Sequence, residues 1–220
     1  MHVVMFDIDG TLVDSAGFDS TLYVEAVESV LGVEIDSDWN RYEHVSDSGI
    51  LDEVLRLLKP GQDHAALAAQ VQRHFIGLVR DHIERRPDAV REIAGARMLF
   101  DRLCETPGVR VAIATGGWEP TARLKLAHVG IDADRGGFAS SSDAKARTDI
   151  MRLAAQRALN GDTQARATYF GDGAWDLRAS AALGYEFVAV GGGVAHSVAF
   201  PDLRDTEAIL AGLGLSCAVA

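Results

Sequence analysis

Val3-Val4-Met5-Phe6-Asp7-Ile8-Asp9-Gly10-Thr11-Leu12-Val13-Asp14-Ser15 decides the reading of this chain. Four apolar residues run into an acid, a second acid follows two places on, and glycine and threonine come next. The short, β-branched, apolar run predicts a strand over 3–8. Asp7 then stands at its carboxyl end, which is where open parallel α/β sheets place their sites. In extended chain, residues two apart lean toward the same space, so the carboxylates of Asp7 and Asp9 come close. Two such groups repel unless a cation or a shared proton intervenes. The pair calls either for Mg²⁺ or for one ionised and one protonated acid.

Outward from this stretch the pattern is first helical, then alternating. Apolar residues at i, i+4 spacing predict a helix over 17–32, a second over 50–58 that Pro60-Gly61 ends, and a long third over 67–86 closed by Pro87. No strand signal interrupts residues 15–87. From Ala94 onward helices are expected over 96–105, 119–129, 145–159, 174–183 and 205–213. Strands are expected over 109–115, 137–140, 167–171 and 187–190. Such alternation marks a parallel sheet covered on both faces. The expected architecture is an α/β core made of residues 1–14 and 88–220, with an all-helical module, 15–87, inserted after the first strand. A module on two short linkers beside a site can close over it and exclude water.

The composition bounds the function. The 220 residues are 48% hydrophobic with a formal net charge of −11, enough for a real core. That charge argues against a nucleic acid or an anionic membrane as partner. Cys104 and Cys217 have no metal-ligand spacing and suit a reducing compartment. No secretory leader is visible, since acids stand where its apolar stretch would be. No apolar run reaches membrane-spanning length. The expectation is a cytoplasmic protein, a monomer or homodimer, handling a small metabolite.

Three further constellations carry chemistry. Ile113-Ala114-Thr115-Gly116-Gly117 puts a hydroxyl and glycine amides at a strand end before a helix, a turn that binds anions or simply turns. Lys145 and Arg147 stand at the expected start of a helix in a chain with only three lysines among its 21 basic residues. Tyr169-Phe170-Gly171-Asp172-Gly173-Ala174-Trp175-Asp176 ends an aromatic strand in an acid, with a second acid four places later. Mg²⁺ takes hard oxygen ligands and keeps several waters, so few carboxylates are needed to hold it. Asp176 alone reads as a favourable helix-start charge.

The four stretches, in this order, resemble the motifs of the haloacid dehalogenase-like hydrolase superfamily, specifically its phosphatase branch with a C1-type helical cap. The resemblance implies a Rossmann-like core. It makes Asp7 a nucleophile that takes a phosphoryl group, and Asp9 the acid and then base that serves the leaving group and water. It places Thr115, Gly116, Gly117 and Lys145 on the phosphate, with Arg147 as second choice to Lys145. Mg²⁺ would be held by Asp7, the Asp9 backbone carbonyl and Asp172, with Asp176 one shell out or holding Lys145. Two departures stand out: Gly116 replaces the usual Asn, and the prolines that commonly flank the motif lysine are Ala146 and Thr148 here.

The implied function is Mg²⁺-dependent hydrolysis of small phosphate monoesters through an aspartyl phosphate, as in phosphoglycolate phosphatases. A sugar-phosphate phosphomutase and a catalytically weak phosphate-binding protein are the alternatives. Arg41, His44, Asp47 and Ser48, in the polar break of the helical module, are candidates for substrate contact. Trp118 and Trp175 are expected to pack at helix starts.

Overall fold

A computed structural model describes residues 1–162 and 165–215, so Cys217 lies outside the described residues. In chain order the elements are β1 (His2–Phe6), β2 (Val13–Asp14), α1 (Ala16–Leu31), α2 (Asp47–Leu58), α3 (His64–Arg85), β3 (Arg91–Glu92), α4 (Ala96–Glu105), β4 (Val109–Ala114), α5 (Glu119–His128), β5 (Gly137–Ala139), α6 (Arg147–Leu159), β6 (Arg166–Gly171), α7 (Ala174–Leu183), β7 (Glu186–Val190), β8 (Ala199–Phe200) and α8 (Thr206–Gly212).

The side chains of β1 show why it is central. Val4 and Phe6 join the apolar cluster on one face of the sheet, and Val3 and Met5 join that on the other. A strand buried on both faces reads as a continuous apolar run, and only helices on both sides can cover it. Six strands form one sheet in the order β5-β4-β1-β6-β7-β8, all pairings parallel. The chain crosses from β1 to β4 on one side and continues through β6 on the other. The carboxyl end of β1 is therefore the switch point of the sheet, and Asp7 is the residue that follows the strand.

The helical insertion has an apolar cluster of its own, in which Tyr23 and Val27 of α1, Leu51 and Val54 of α2, and Val71 and Phe75 of α3 meet. Its two connections run side by side as β2 and β3, paired antiparallel through Val13 with Glu92 and Asp14 with Arg91. These two-residue strands, like β8, are too short to leave a periodic signal. No helix among the described residues is long and apolar enough to cross a membrane.

Two helix starts differ from expectation, and both matter for the site. Helix α2 begins at Asp47, because Ser46 caps it by accepting the Gly49 N–H at 3.1 Å. Helix α6 begins at Arg147, since Ala146 is still extended, so Lys145 lies in the preceding loop.

Candidate active site

The ends of β1, β4 and β6, the start of α6 and the insertion surround a cavity of about 140 Å³. Asp7, Asp9, Thr115, Gly116, Gly117, Arg147 and Asp172 line it from the sheet side. The turn after β1 depends on Gly10, whose φ is +78°, a region that costs a side-chain-bearing residue energy. A Cβ there would also lie 2.1 Å from Asp172 Oδ2, so the missing side chain is what lets the two loops close on each other.

Asp7, Asp172 and Asp176 each offer a carboxylate oxygen, and these oxygens lie within 4.8 Å of one another. Burial pushes Asp7 up to about 7, with Arg147 opposing and Asp176 and Asp9 adding to the rise. Burial likewise raises Asp172 to about 7, helped by Asp7 and Asp9. Asp176 rises to about 6 through burial, against the pull of Arg147. Asp176 Oδ2 accepts the Gly173 N–H at 3.1 Å, while its Oδ1, fully buried, has no hydrogen-bond partner. Three carboxylates crowded this closely fit a hard divalent cation, which would relieve their repulsion. Asp172 and Asp7 suit direct contact, and Asp176 supports from behind.

The cation already in the site is Arg147, not Lys145. Arg147 Nη1 stands 3.3 Å from Asp7 Oδ1 and 3.5 Å from Asp176 Oδ1, and Nη2 donates to the Val45 carbonyl at 3.3 Å. Burial opposes its charge, yet Asp176 and Asp7 hold its pKa above the usual range. Lys145 instead sends Nζ to Asp52 on α2, 2.6 Å away, with about half of each side chain exposed to solvent. This corrects the placement expected from the motif. Helix α6 starts two residues after the lysine, and its first residue, Arg147, turns inward while Lys145 turns outward.

Gly116 explains itself in the same geometry. A Cβ on it would lie 2.6 Å from Arg147 Nη2 and 3.1 Å from the Val45 carbonyl. The arginine fills the space that an Asn side chain would need, so the two departures from the family pattern are one adjustment. Gly116→Asn is expected to displace the guanidinium and lower activity by about tenfold to a hundredfold, the scale of an ångström-level misplacement. Steady-state rates of the variant alongside wild type check this; an unchanged rate would show that the guanidinium is not held by that contact. Thr115 sits beside it, its Oγ1 accepting the Gly117 N–H at 3.1 Å.

Lys125 is the residue that the sequence reading missed. It is completely buried in α5, with Nζ 2.5 Å from Asp9 Oδ1 and 2.7 Å from Asp19 Oδ1 of α1. Burial works against its charge, but Asp19 and Asp9 raise its pKa above the ordinary lysine value. Ser15 Oγ donates to the same Asp9 oxygen. Asp9 is thus clamped away from the Asp7–Asp172–Asp176 group, which leaves its backbone carbonyl, not its side chain, as its possible metal contact. The signal lay in register: the buried face of α5 is Thr121, Ala122, Lys125 and Leu126, so the lysine falls where an apolar residue belongs. Lys125→Met is expected to lower activity about 10–100-fold, as outer-shell substitutions do. It should also lower the melting temperature, because two buried acids lose their counter-charge. Rates and a thermal melt of the variant read both effects, and wild-type values would remove the clamp from the account.

Of the other candidates, Asp47 lines the cavity, its Oδ2 accepting the Trp118 N–H at 2.8 Å. Ser48 Oγ donates to the Ser141 carbonyl at 2.7 Å and seats α2 on the core. Arg41 is exposed and paired with Asp36 at 2.6 Å, and His44 is partly exposed beside Glu43; neither lines the cavity. Trp118 packs into the apolar cluster of the insertion, as expected, whereas Trp175 is part of the cavity wall.

Relatives of known structure share this fold. A hydrolase from Pseudomonas syringae superposes with a TM-score of 0.73 at 18% identity, covering 97% of this chain and 99% of its own. CbbY from Rhodobacter sphaeroides, solved in complex with phosphate, gives 0.69 at 18% identity, covering 93% and 96%. β-Phosphoglucomutase from Clostridium difficile gives 0.67 at 16% identity, covering 93% and 92%. Among curated proteins, the tyrosine-protein kinase PtkA of Mycobacterium tuberculosis is 29% identical over 193 residues, which are 87% of this chain. The chain spans 62% of that relative's length. Residues 1–184 match the haloacid dehalogenase-like hydrolase family, and with the match covering most of its length the chain belongs to that family.

Proposed function

We propose that this hydrolase is a cytoplasmic, Mg²⁺-dependent phosphomonoesterase that works through an aspartyl phosphate on Asp7, with residues 15–87 as its cap. One observation carries the reading. A buried carboxylate at the sheet's switch point, Asp7, lines one cavity with Asp172 and the Arg147 guanidinium, and Asp176 stands behind it, its oxygen within 4.8 Å of theirs. Mg²⁺, when bound, supplies positive charge to the phosphate oxygens and the crowded acids.

The chain's own groups do the rest. Asp7 forms a bond to phosphorus as the bond to the ester oxygen breaks, and Asp9 gives that oxygen a proton. Asp9 then takes a proton from water, which attacks the same phosphorus and frees Asp7. Lys125 and Ser15 hold Asp9 in place for both transfers. Arg147, the cation of the lining, stands beside Asp7 and would meet the oxygens of a phosphate there.

Purified protein with Mg²⁺ should release inorganic phosphate from p-nitrophenyl phosphate. Chelation should remove the activity and added Mg²⁺ restore it. An inert protein across aryl phosphates and small phosphorylated metabolites would overturn the reading. Delivery of the phosphate to a second hydroxyl would mark a phosphotransferase, the kind of activity named for PtkA and β-phosphoglucomutase.

A further inference from the structure

We infer that the leaving group of the substrate is a short alcohol bearing an ammonium group, and not one bearing a carboxylate or a second phosphate. The inference rests on the phosphomonoesterase reading and adds to it the polarity of the cavity. Its two ends differ. Toward the sheet stand the groups suited to phosphate, the Arg147 guanidinium and the glycine turn after β4. Toward the insertion stand the carboxyls of Asp19 and Asp47, the hydroxyl of Ser20 and the rings of Tyr23 and Trp39. Tyr23 and Trp39 meet edge to face with centroids 6.0 Å apart, and aromatic rings beside carboxylates favour an alkylammonium.

No basic side chain of the insertion lines the cavity. The cations nearby are committed elsewhere. Arg41 pairs with Asp36, Lys145 with Asp52, and Lys125 divides itself between Asp9 and Asp19 behind the wall. Arg147, the single cation in the lining, faces Asp7 and Asp176. A glycolate carboxylate or a second phosphate would therefore meet further carboxyls and no uncommitted cation. An ammonium would meet Asp47, which has no ion-pair partner among the described residues, and Asp19, which shares the single charge of Lys125 with Asp9. Burial raises Asp19 to about 6 against the pull of Lys125, and raises Asp47 well above the usual carboxylate range. A cation between them offsets that burial. Size points the same way: about 140 Å³ is well below the roughly 300–1,000 Å³ of pockets that hold drug-sized ligands.

The test compares O-phosphoethanolamine with 2-phosphoglycolate, with p-nitrophenyl phosphate as the control for chemistry. The expected kcat/KM ratio of phosphoethanolamine to phosphoglycolate is at least about tenfold, as one favourable against one unfavourable charge contact gives. Asp47→Asn keeps the acceptor for the Trp118 N–H and is expected to pull that ratio down several-fold. Equal or better turnover of phosphoglycolate, with the aryl ester hydrolysed, overturns the inference and leaves the phosphatase reading standing. An unchanged ratio in Asp47→Asn removes that residue from recognition and overturns the assignment. No hydrolysis of any of the three esters takes both readings down together.

Discussion

Asp7→Asn is expected to keep the fold and lower phosphate release by about 10⁴-fold or more, the scale on which enzymes lose rate when a covalent nucleophile is removed. The substitution is nearly isosteric and removes one of the buried, mutually repelling acids, so it carries no packing penalty. Its effect on stability has a sign. Asp7 has a pKa of about 7 in the folded protein, raised chiefly by burial, against an ordinary value of 3.8. A carboxyl raised in this way favours the fold below its unfolded value, and that contribution is lost as pH rises through about 7. In chelator, wild-type protein should therefore melt at lower temperature as pH climbs from 4 to 8, and Asp7→Asn should flatten part of that slope. Mg²⁺ should raise the wild-type melting temperature at the alkaline end more than that of the variant. A variant within about tenfold of the wild-type rate would remove Asp7 from the chemistry.

The second large effect separates two neighbouring cations. Arg147→Gln is expected to cost about 10²–10³-fold in kcat/KM, as the loss of a preorganised charge at a reacting group does. Lys145→Ala is expected to stay within about twofold, because an exposed ion pair contributes little. Both variants are assayed on the same aryl phosphate with saturating Mg²⁺. A severe loss in the lysine variant with a mild one in the arginine variant would reverse the placement found here. Arg147→Gln should also lower stability, since Asp7 and Asp176 lose the guanidinium between them.

The contrast between these two residues shows what the sequence holds and what it does not. Asp7, Asp172 and Thr115 were legible because each ends an apolar strand, and the ends of neighbouring parallel strands must meet at one edge of the sheet. The helices of the insertion were legible from their period. Lys145 was misplaced because the choice between it and Arg147 depends on where α6 begins, and a shift of one or two residues reverses which side chain faces inward. Gly116 looked like a weakened motif until Arg147 was seen to occupy the space beside it. Lys125, and Asp19 with it, were missed because the lysine lies far along the chain from both acids and meets Asp9 and Asp19 only in three dimensions. Asp47 stood among four polar candidates of the insertion, and only the seating of α2 on the core, through Ser46 on the Lys145 carbonyl and Ser48 on that of Ser141, sets it apart.

The central claim is that phosphorus passes through the side chain of residue 7. An acyl phosphate is reduced by borohydride, which would convert a phosphorylated Asp7 to homoserine. Protein quenched during turnover and reduced in this way should yield an amino-terminal peptide carrying homoserine at position 7, and Asp7→Asn protein should yield none. Turnover with unmodified Asp7, or homoserine at another aspartate, would contradict the account.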